Sequence, residues 1–459
     1  MAKSRSSYVC QGCGHAALAW SGRCAGCGEW NTLVESQPAA RTGGARTTGR
    51  TRSAAKPTPL RDVVPPAVAR YETGIGELDR VLGGGLVPGG LVLLGGSPGI
   101  GKSTLTAMAL AHLVGAGRAV LYVTGEESAA QVRLRAERLG EAALAVPVLA
   151  ENSLDAVLAT IEAERPDVCV IDSIQTLHSA EQSGAPGSVG QVREAAGALM
   201  DVGKRQGTAL ILVGHVTKDG ALAGPRVLEH LVDCVLQFEG ERERTYRTLR
   251  ALKNRFGATN EVGVFEMRSG GLVEVVDPSA RFVGEATAAP GSVVLSAMEG
   301  SRPVLVEVQA LVAPTEIEHP RRVANGIDRN RLSLVLAVLT RHARLPLGAS
   351  DVFVNVAGGV RVDEPGADLA VALALASAHR GEPLLAGGKP LACFGEVGLT
   401  GELRYVGHAD RRVAEALKFG LAPVLGPPSE ERIEGLSPAA TLKEALATAF
   451  TAAPVKRAA

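Results

Sequence analysis

The octapeptide Gly96-Ser97-Pro98-Gly99-Ile100-Gly101-Lys102-Ser103 has the spacing Gly-x-x-x-x-Gly-Lys-Ser. Glycines at these positions let consecutive backbone N–H groups turn inward on a phosphate chain, and a helix opening at the lysine adds the positive end of its dipole. Lys102 then reaches the β- and γ-phosphates of ATP, and Ser103, with Thr104 beside it, is the expected Mg²⁺ ligand. The magnesium shell needs an acid as well. Val168-Cys-Val-Ile-Asp172 supplies one, because four apolar strand residues end in an aspartate at the carboxyl edge of a sheet. The next residue is Ser173, so the base that activates water must come from elsewhere. The run Ala119–Val123 leads into Thr124-Gly125-Glu126-Glu127, which makes Glu126 the candidate base and Glu127 the fallback.

A second chemistry sits near the start. Cys10-Gln-Gly-Cys13 and, ten residues on, Cys24-Ala-Gly-Cys27 form two Cys-x-x-Cys knuckles able to place four thiolates around one structural Zn²⁺. The competing reading is four free or redox-active cysteines. With all four positions filled by thiolates the metal has no open site for catalysis, and it holds a small fold that has almost no core of its own. Cys169, Cys234 and Cys393 lie in apolar surroundings and read as buried, inert thiols.

The elements that must position these residues follow from the apolar pattern. Leu91–Leu94, Ala119–Val123, Val168–Ile171 and Ala209–Val213 read as buried strands. Ser103–Val114, Ala129–Leu139, Leu154–Glu164 and Val189–Arg205 read as the helices between them. Such alternation argues a parallel sheet covered on both faces. Val232–Phe238, Thr248–Leu252 and Val262–Met267 have strand character without helices between them, and are expected to extend the sheet as hairpins.

At 459 residues the chain needs two or three domains. Residues 1–35 are the expected zinc finger, 36–66 a flexible linker, 67–283 the nucleotide domain and 284–459 a further α/β domain. The linker is rich in Ala, Gly, Thr and Pro, carries Arg41, Arg46, Arg50, Arg52, Lys56 and Arg61, and has no acid between Glu35 and Asp62. It reads equally as a tether following a nucleic-acid backbone or as a solvated spacer. The 48 basic and 48 acidic residues balance, so any nucleic-acid site must be a local patch. No apolar run approaches the ~20 residues of a membrane helix, and no signal peptide is evident, so a cytoplasmic protein without a membrane partner is expected.

The phosphate loop, Gly125-Glu126-Glu127, the Asp172-Ser173 strand end and the pentapeptide Lys253-Asn254-Arg255-Phe256-Gly257 together resemble the RecA family of ATPases. With the four-cysteine segment and the C-terminal third, the resemblance extends over essentially the whole chain and is to a bacterial DNA-repair branch of that family. It implies a RecA-like P-loop core with a mainly parallel sheet. The implied activity is that of a DNA-dependent ATPase motor in recombinational repair, acting in branch migration of RecA-made joints and requiring an oligomer. By the same resemblance Glu126 takes the water-activating position, Asp172 the magnesium-side aspartate and His215 the place of a γ-phosphate-sensing glutamine. Lys253 and Arg255 take the place of basic residues that reach a neighbouring subunit's ATP, which implies a ring, expected to be a homohexamer. DNA, single-stranded or branched, is expected on Gln175–Gly190, on Thr217–Glu229 and near Lys253–Gly257. RecA recombinase and a replicative helicase or single-strand-binding protein are the implied protein partners. Neither loop has a stacking aromatic, so contacts would go mostly to phosphates.

In the last third, Pro303–Val312 and Asp351–Val356 read as strands, and Arg331–His342, Asp368–Ala378 and Arg411–Phe419 as helices. Gly395-Glu-Val-Gly-Leu-Thr-Gly-Glu-Leu-Arg404 resembles the proteolytic domain of Lon. That chemistry needs a serine nucleophile and a lysine base. The resemblance puts Asp368 at the serine position and Asp410 at the lysine position, so an inactive protease fold serving as an assembly platform is expected. The basic cluster Arg321, Arg322, Arg329 and Arg331 reads as a DNA-lining surface or as a solvated face. An active Lon-like protease and a regulatory ATPase without a DNA role are the alternative functions.

Overall fold

The computed structural model describes residues 7–10, 16–26, 28, 30, 33–36, 59–63, 69–182, 184–216, 222–223, 227–240, 246–284, 286–359 and 361–451. The chain divides into two compact units, one of residues 1–241, 247–259 and 267–274, the other of 242–246, 260–266 and 275–459.

In the first unit the N-terminal strands Ser7–Cys10, Ala16–Ala17 and Leu33–Ser36 form a small antiparallel sheet. Its core is little more than Cys10, Cys24 and Leu33. The nucleotide region begins with β1 (Leu91–Gly96), six buried residues that follow a turn closed by the Gly90 amide on the Val87 carbonyl. After it come α1 (Lys102–Gly115), β2 (Val120–Thr124), β3 (Val148–Ala150), β4 (Val168–Asp172), α2 (Val189–Gln206), β5 (Ala209–Val213), β6 (Cys234–Glu239) and β7 (Tyr246–Asn254). These strands run in the order β7-β6-β1-β5-β4-β2-β3. All neighbours are parallel except β7, which is antiparallel to β6.

Burial on both faces explains the near-continuous apolar strands. Leu91, Leu93, Leu121, Val123, Cys169, Ile171, Leu210 and Leu212 pack on α2 and on the helix Leu154–Glu164. The alternate residues face the other side, where α1 runs against β2. The expected hairpin extension is present in β7, and Val262–Arg268 is a strand as read from the sequence.

Two local differences from the sequence pattern matter. The helix expected over Ala129–Leu139 stops at Ala136, and a short helix, Glu141–Leu144, follows after Gly140 turns the chain at φ 102°. Strand β3 escapes detection because it has only three residues, none of them buried.

The second unit has β8 (Ser292–Glu299), β9 (Arg302–Pro314), β10 (Arg322–Asn325), α3 (Arg329–His342), β11 (Ser350–Val356), α4 (Asp368–Arg380), β12 (Ala392–Cys393), α5 (Ala409–Lys418), β13 (Val424–Gly426) and β14 (Leu436–Pro438). Its mixed sheet runs β10-β11-β9-β8-β12-β13-β14. Helix α4 packs on β9 and β8, and ten of its residues are buried, which makes it the spine of the unit.

The boundary expected after residue 283 falls inside this unit. The helix Pro278–Val283 is part of its core: Phe282 packs in the main cluster, and the Ser279 hydroxyl donates to Glu415 Oε1 at 2.6 Å. No described helix is long and apolar enough to cross a membrane.

Candidate active site and metal ribbon

The loop after β1 brings its three exposed residues, Ser97, Pro98 and Gly99, to the crest, while Gly96 and Ile100 are buried below. Gly101 caps α1 at φ 115°, and a Cβ there would lie 2.8 Å from Met267 Cε. The left-handed backbone is what demands glycine here, since the methionine methyl is the flexible end of its side chain and could give way. Lys102 is buried and donates from Nζ to the carbonyls of Gly96, 2.7 Å, and Ser97, 3.1 Å. Burial lowers its pKa, and the Asp172 and Glu126 carboxylates pull it back up. Ser103 and Thr104 are half-buried in the first turn of α1.

Asp172 ends β4 in register with Thr124, the last residue of β2, so two acidic segments meet at one sheet edge. Glu126 lies two residues past β2 and accepts the Ser173 hydroxyl at Oε1, 2.6 Å. Glu127 is turned to Arg135, whose Nη1 is 2.6 Å from its Oε2. The serine that replaces an expected acid after Asp172 thus holds Glu126, and Glu126 rather than Glu127 faces the strand end that carries Asp172. The backbone of His215 lies at this edge too, since the preceding Gly214 amide donates to the Leu94 carbonyl at 2.9 Å.

The sequence gives little warning of Tyr122. Its phenol donates to Asp172 Oδ2 at 2.6 Å and accepts from Arg135 Nη2 at 2.8 Å. The one available signal is a phenol in an otherwise apolar buried strand, where the hydroxyl must find a partner.

Lys253 and Arg255 are at the other end of the sheet. Lys253 Nζ donates to the carbonyls of Glu229, 2.6 Å, and Val232, 2.8 Å. Arg255 Nη1 donates to Asp233 Oδ1 at 2.9 Å, and Asp233 Oδ2 accepts the amide of Leu91, the first residue of β1. The phosphate loop begins at the last residue of β1, about 17 Å away at ~3.3 Å per strand residue. Within one chain these two cations are not part of the constellation around Lys102.

The loop Gln175–Gly190 follows β4 and so leaves the same edge as the phosphate loop, whereas Lys253–Gly257 occupies the opposite one. Those two expected DNA surfaces are therefore not adjacent in one chain. Of Thr217–Glu229, residues 217–221 and 224–226 lie outside the described residues, as do the side chain of His215, Cys13, Cys27 and nearly all of the basic linker.

In the ribbon, Cys10 and Cys24 are both buried, and the Gly26 amide donates to Cys24 Sγ at 3.3 Å. An N–H aimed at a sulfur stabilises a thiolate, and two buried sulfurs packed together suit a metal better than exposed thiols would.

Asp368, the residue expected from the Lon resemblance at the serine position, is buried and gripped by Arg331: Nε to Oδ1 and Nη2 to Oδ2 are both 2.7 Å. The Val397 amide adds a third bond at 3.1 Å. Asp410 is exposed on α5. This corrects the reading of Arg321, Arg322, Arg329 and Arg331 as one basic surface. Arg331 is committed to Asp368, and Arg322 to the carbonyls of Leu347 and Ser350, which leaves Arg321 and Arg329 exposed.

Family models match two segments of the chain. Residues 54–221 match a family model described as an AAA domain, and residues 8–35 one described as a rubredoxin metal binding domain. The DNA repair protein RadA of Pseudomonas aeruginosa is 51% identical over 93% of this chain and 94% of its own. The chain belongs to the RadA family of DNA repair proteins. RadA of Bacillus subtilis is 48% identical, with 93% of each chain covered, and RadA of Brucella abortus is 50% identical over 92% of this chain and 91% of its own. The fold is the RecA-like P-loop fold with an N-terminal ribbon, and the chain is an ATPase.

Proposed function

We propose that this RadA-family protein is a DNA-stimulated ATPase motor whose active site is shared between subunits of a homohexameric ring. The observation that carries this reading is the placement of Lys253 and Arg255 at the end of the sheet remote from the chain's own phosphate loop. Cations there can serve a neighbour's nucleotide in a head-to-tail ring, whereas they cannot serve their own.

In this reading Gly96–Ser103 and Thr104 hold the phosphates of ATP, with Lys102 against the β- and γ-groups. Ser103 and Asp172 hold Mg²⁺, which when bound neutralises charge on the phosphates. Glu126 takes the proton of the attacking water, and Ser173 keeps its carboxylate beside Asp172. His215 reports the γ-phosphate to the segment that follows it. Lys253 and Arg255 of the adjoining subunit stabilise charge in transfer. Cys10, Cys13, Cys24 and Cys27 hold one structural Zn²⁺. The C-terminal unit is an inactive Lon-like platform, because Asp368 is tied to Arg331 and no lysine base stands at residue 410.

Family membership supports a cytoplasmic role in recombinational repair, with single-stranded and branched DNA as substrate. RecA recombinase, and a replicative helicase or single-strand-binding protein, would be partners in branch migration. The test is ATP turnover with and without single-stranded DNA, alongside extension of RecA-made joints. Stimulated turnover and extended joints are expected. Turnover indifferent to DNA, with joints left unextended, would favour the regulatory ATPase instead.

A further inference from the structure

The side chains around Asp172 form a chain of contacts that ordinary phosphate-loop chemistry does not require. Tyr122 is almost fully buried in β2, and its hydroxyl both donates to Asp172 and accepts from Arg135. The Arg135 guanidinium also sits over the Tyr122 ring, 5.8 Å from its centroid and within the about 6 Å reach of a cation–π contact. Its other nitrogen is paired with Glu127. Arg135 lies on the helix Ala129–Ala136, whose start is fixed by a capping box between Ser128 and Gln131. The turn between β2 and this helix is fastened again where the Glu127 amide donates to Thr124 Oγ1 at 3.1 Å. Glu126 projects from that turn and accepts from Ser173, the neighbour of Asp172. The connections therefore close a loop: Asp172 to Tyr122, to Arg135, to Glu127, through the backbone to Glu126, and back by Ser173.

We propose that Tyr122 and Arg135 are positioning residues that hold the Asp172 carboxylate and the Glu126 turn as one unit, so that metal affinity at Asp172 depends on the turn. The inference rests on Asp172 as a magnesium ligand and Glu126 as the base. A donor at Oδ2 restricts rotation of the carboxylate and leaves the other oxygen the better acceptor. Arg135 is the only element of the relay on a surface helix, and a movement of that helix would reach Asp172 through a single oxygen atom. An apolar cavity of about 290 Å³ lies beside it, lined by Val132, Ala136, Leu144 and Val148 as well as Tyr122 and Arg135.

The test is a magnesium titration of ATP hydrolysis by the full-length protein. In Tyr122→Phe, which removes the hydroxyl and keeps the ring, half-saturating Mg²⁺ should rise about tenfold for the loss of one charge-assisted bond. Turnover at saturating Mg²⁺ should stay within about threefold of the parent. Binding of a fluorescent ADP analogue in EDTA should be unchanged, which reports an intact fold. Arg135→Gln breaks the relay from the helix side and should shift Mg²⁺ dependence in the same direction; it decides the matter if Tyr122→Phe no longer binds nucleotide. Unchanged half-saturation in the folded variants, or a fall in turnover without a shift in half-saturation, overturns the relay. Asp172→Asn separates the two layers. If it keeps the parental Mg²⁺ dependence, Asp172 is not the metal residue; if it loses that dependence while Tyr122→Phe keeps it, the relay alone is wrong.

Discussion

Arg255 is paired with Asp233, Nη1 to Oδ1 at 2.9 Å, and that aspartate in turn holds the first amide of the strand whose last residue opens the phosphate loop. A single carboxylate therefore fixes both the start of β1 and the resting place of the arginine. Arg255 is half exposed, with 53% of its side chain accessible, whereas Asp233 is buried. The two residues should respond differently to mutation.

Arg255→Ala should lower ATP turnover by about 10³-fold, the lower end for loss of a transition-state arginine, with nucleotide binding nearly unchanged and a melting temperature lowered less than in Asp233→Ala, because the buried Asp233 carboxylate loses one partner but keeps the Leu91 amide. Asp233→Ala should instead cost about 2 kcal/mol of stability, because the Leu91 amide loses a buried acceptor. Steady-state hydrolysis and thermal melts of both variants distinguish the roles. An Arg255→Ala protein with parental turnover would remove this residue from the site.

Glu126→Gln preserves shape but cannot take a proton. Turnover should fall on the order of 10²- to 10⁴-fold while ATP still binds. Glu127→Gln should fall much less, since that carboxylate faces Arg135. Equal losses in single-turnover assays, or a larger loss at Glu127, would reverse the assignment.

Asp368→Ala leaves Arg331 without its bidentate partner. Because Arg331 keeps about a third of its side chain in solvent, the expected loss is about 2 kcal/mol rather than the full cost of a buried unpaired charge. Asp368→Ser should create no peptidase, since no ammonium base accompanies it. Melting curves and hydrolysis of a fluorescent casein check both statements, and casein cleavage would revive the protease reading.

Metal release from the unfolded protein should give about one zinc per chain in a colorimetric assay, and Cys24→Ser should reduce it sharply while leaving basal ATPase near parental levels. A protein that carries no zinc when purified without chelator would sink the ribbon assignment.

Much of the nucleotide region could be read in advance because its strands are buried on both faces and so appear as unbroken apolar runs ending in Gly96, Thr124, Asp172 and Val213. Glycine spacing fixed the loop independently of any packing. What stayed hidden was tertiary. Tyr122 and Asp172 are 50 residues apart, and nothing local says that the phenol meets the carboxylate. Arg331 looked like one of four surface cations until α4 brought Asp368 to it from 37 residues away. Strand β3 is a three-residue edge with no buried residue and so has no apolar period, and Leu139 continues the apolar pattern beyond the turn at Gly140, so no local signal marks the helix end at Ala136. The domain boundary was displaced for the same reason, since only the packing of Ser279 and Phe282 shows which core they serve.

The shared active site is tested most directly by mixing two inactive proteins, Lys102→Ala and Arg255→Ala, under conditions that allow subunits to exchange. If each site takes its phosphate loop from one chain and its arginine from the next, random mixing in equal amounts restores about a quarter of the intact sites and a matching share of turnover. If the mixture stays as inactive as its components while exchange is verified by labelled subunits, the two residues do not meet across an interface and the account of the motor is wrong.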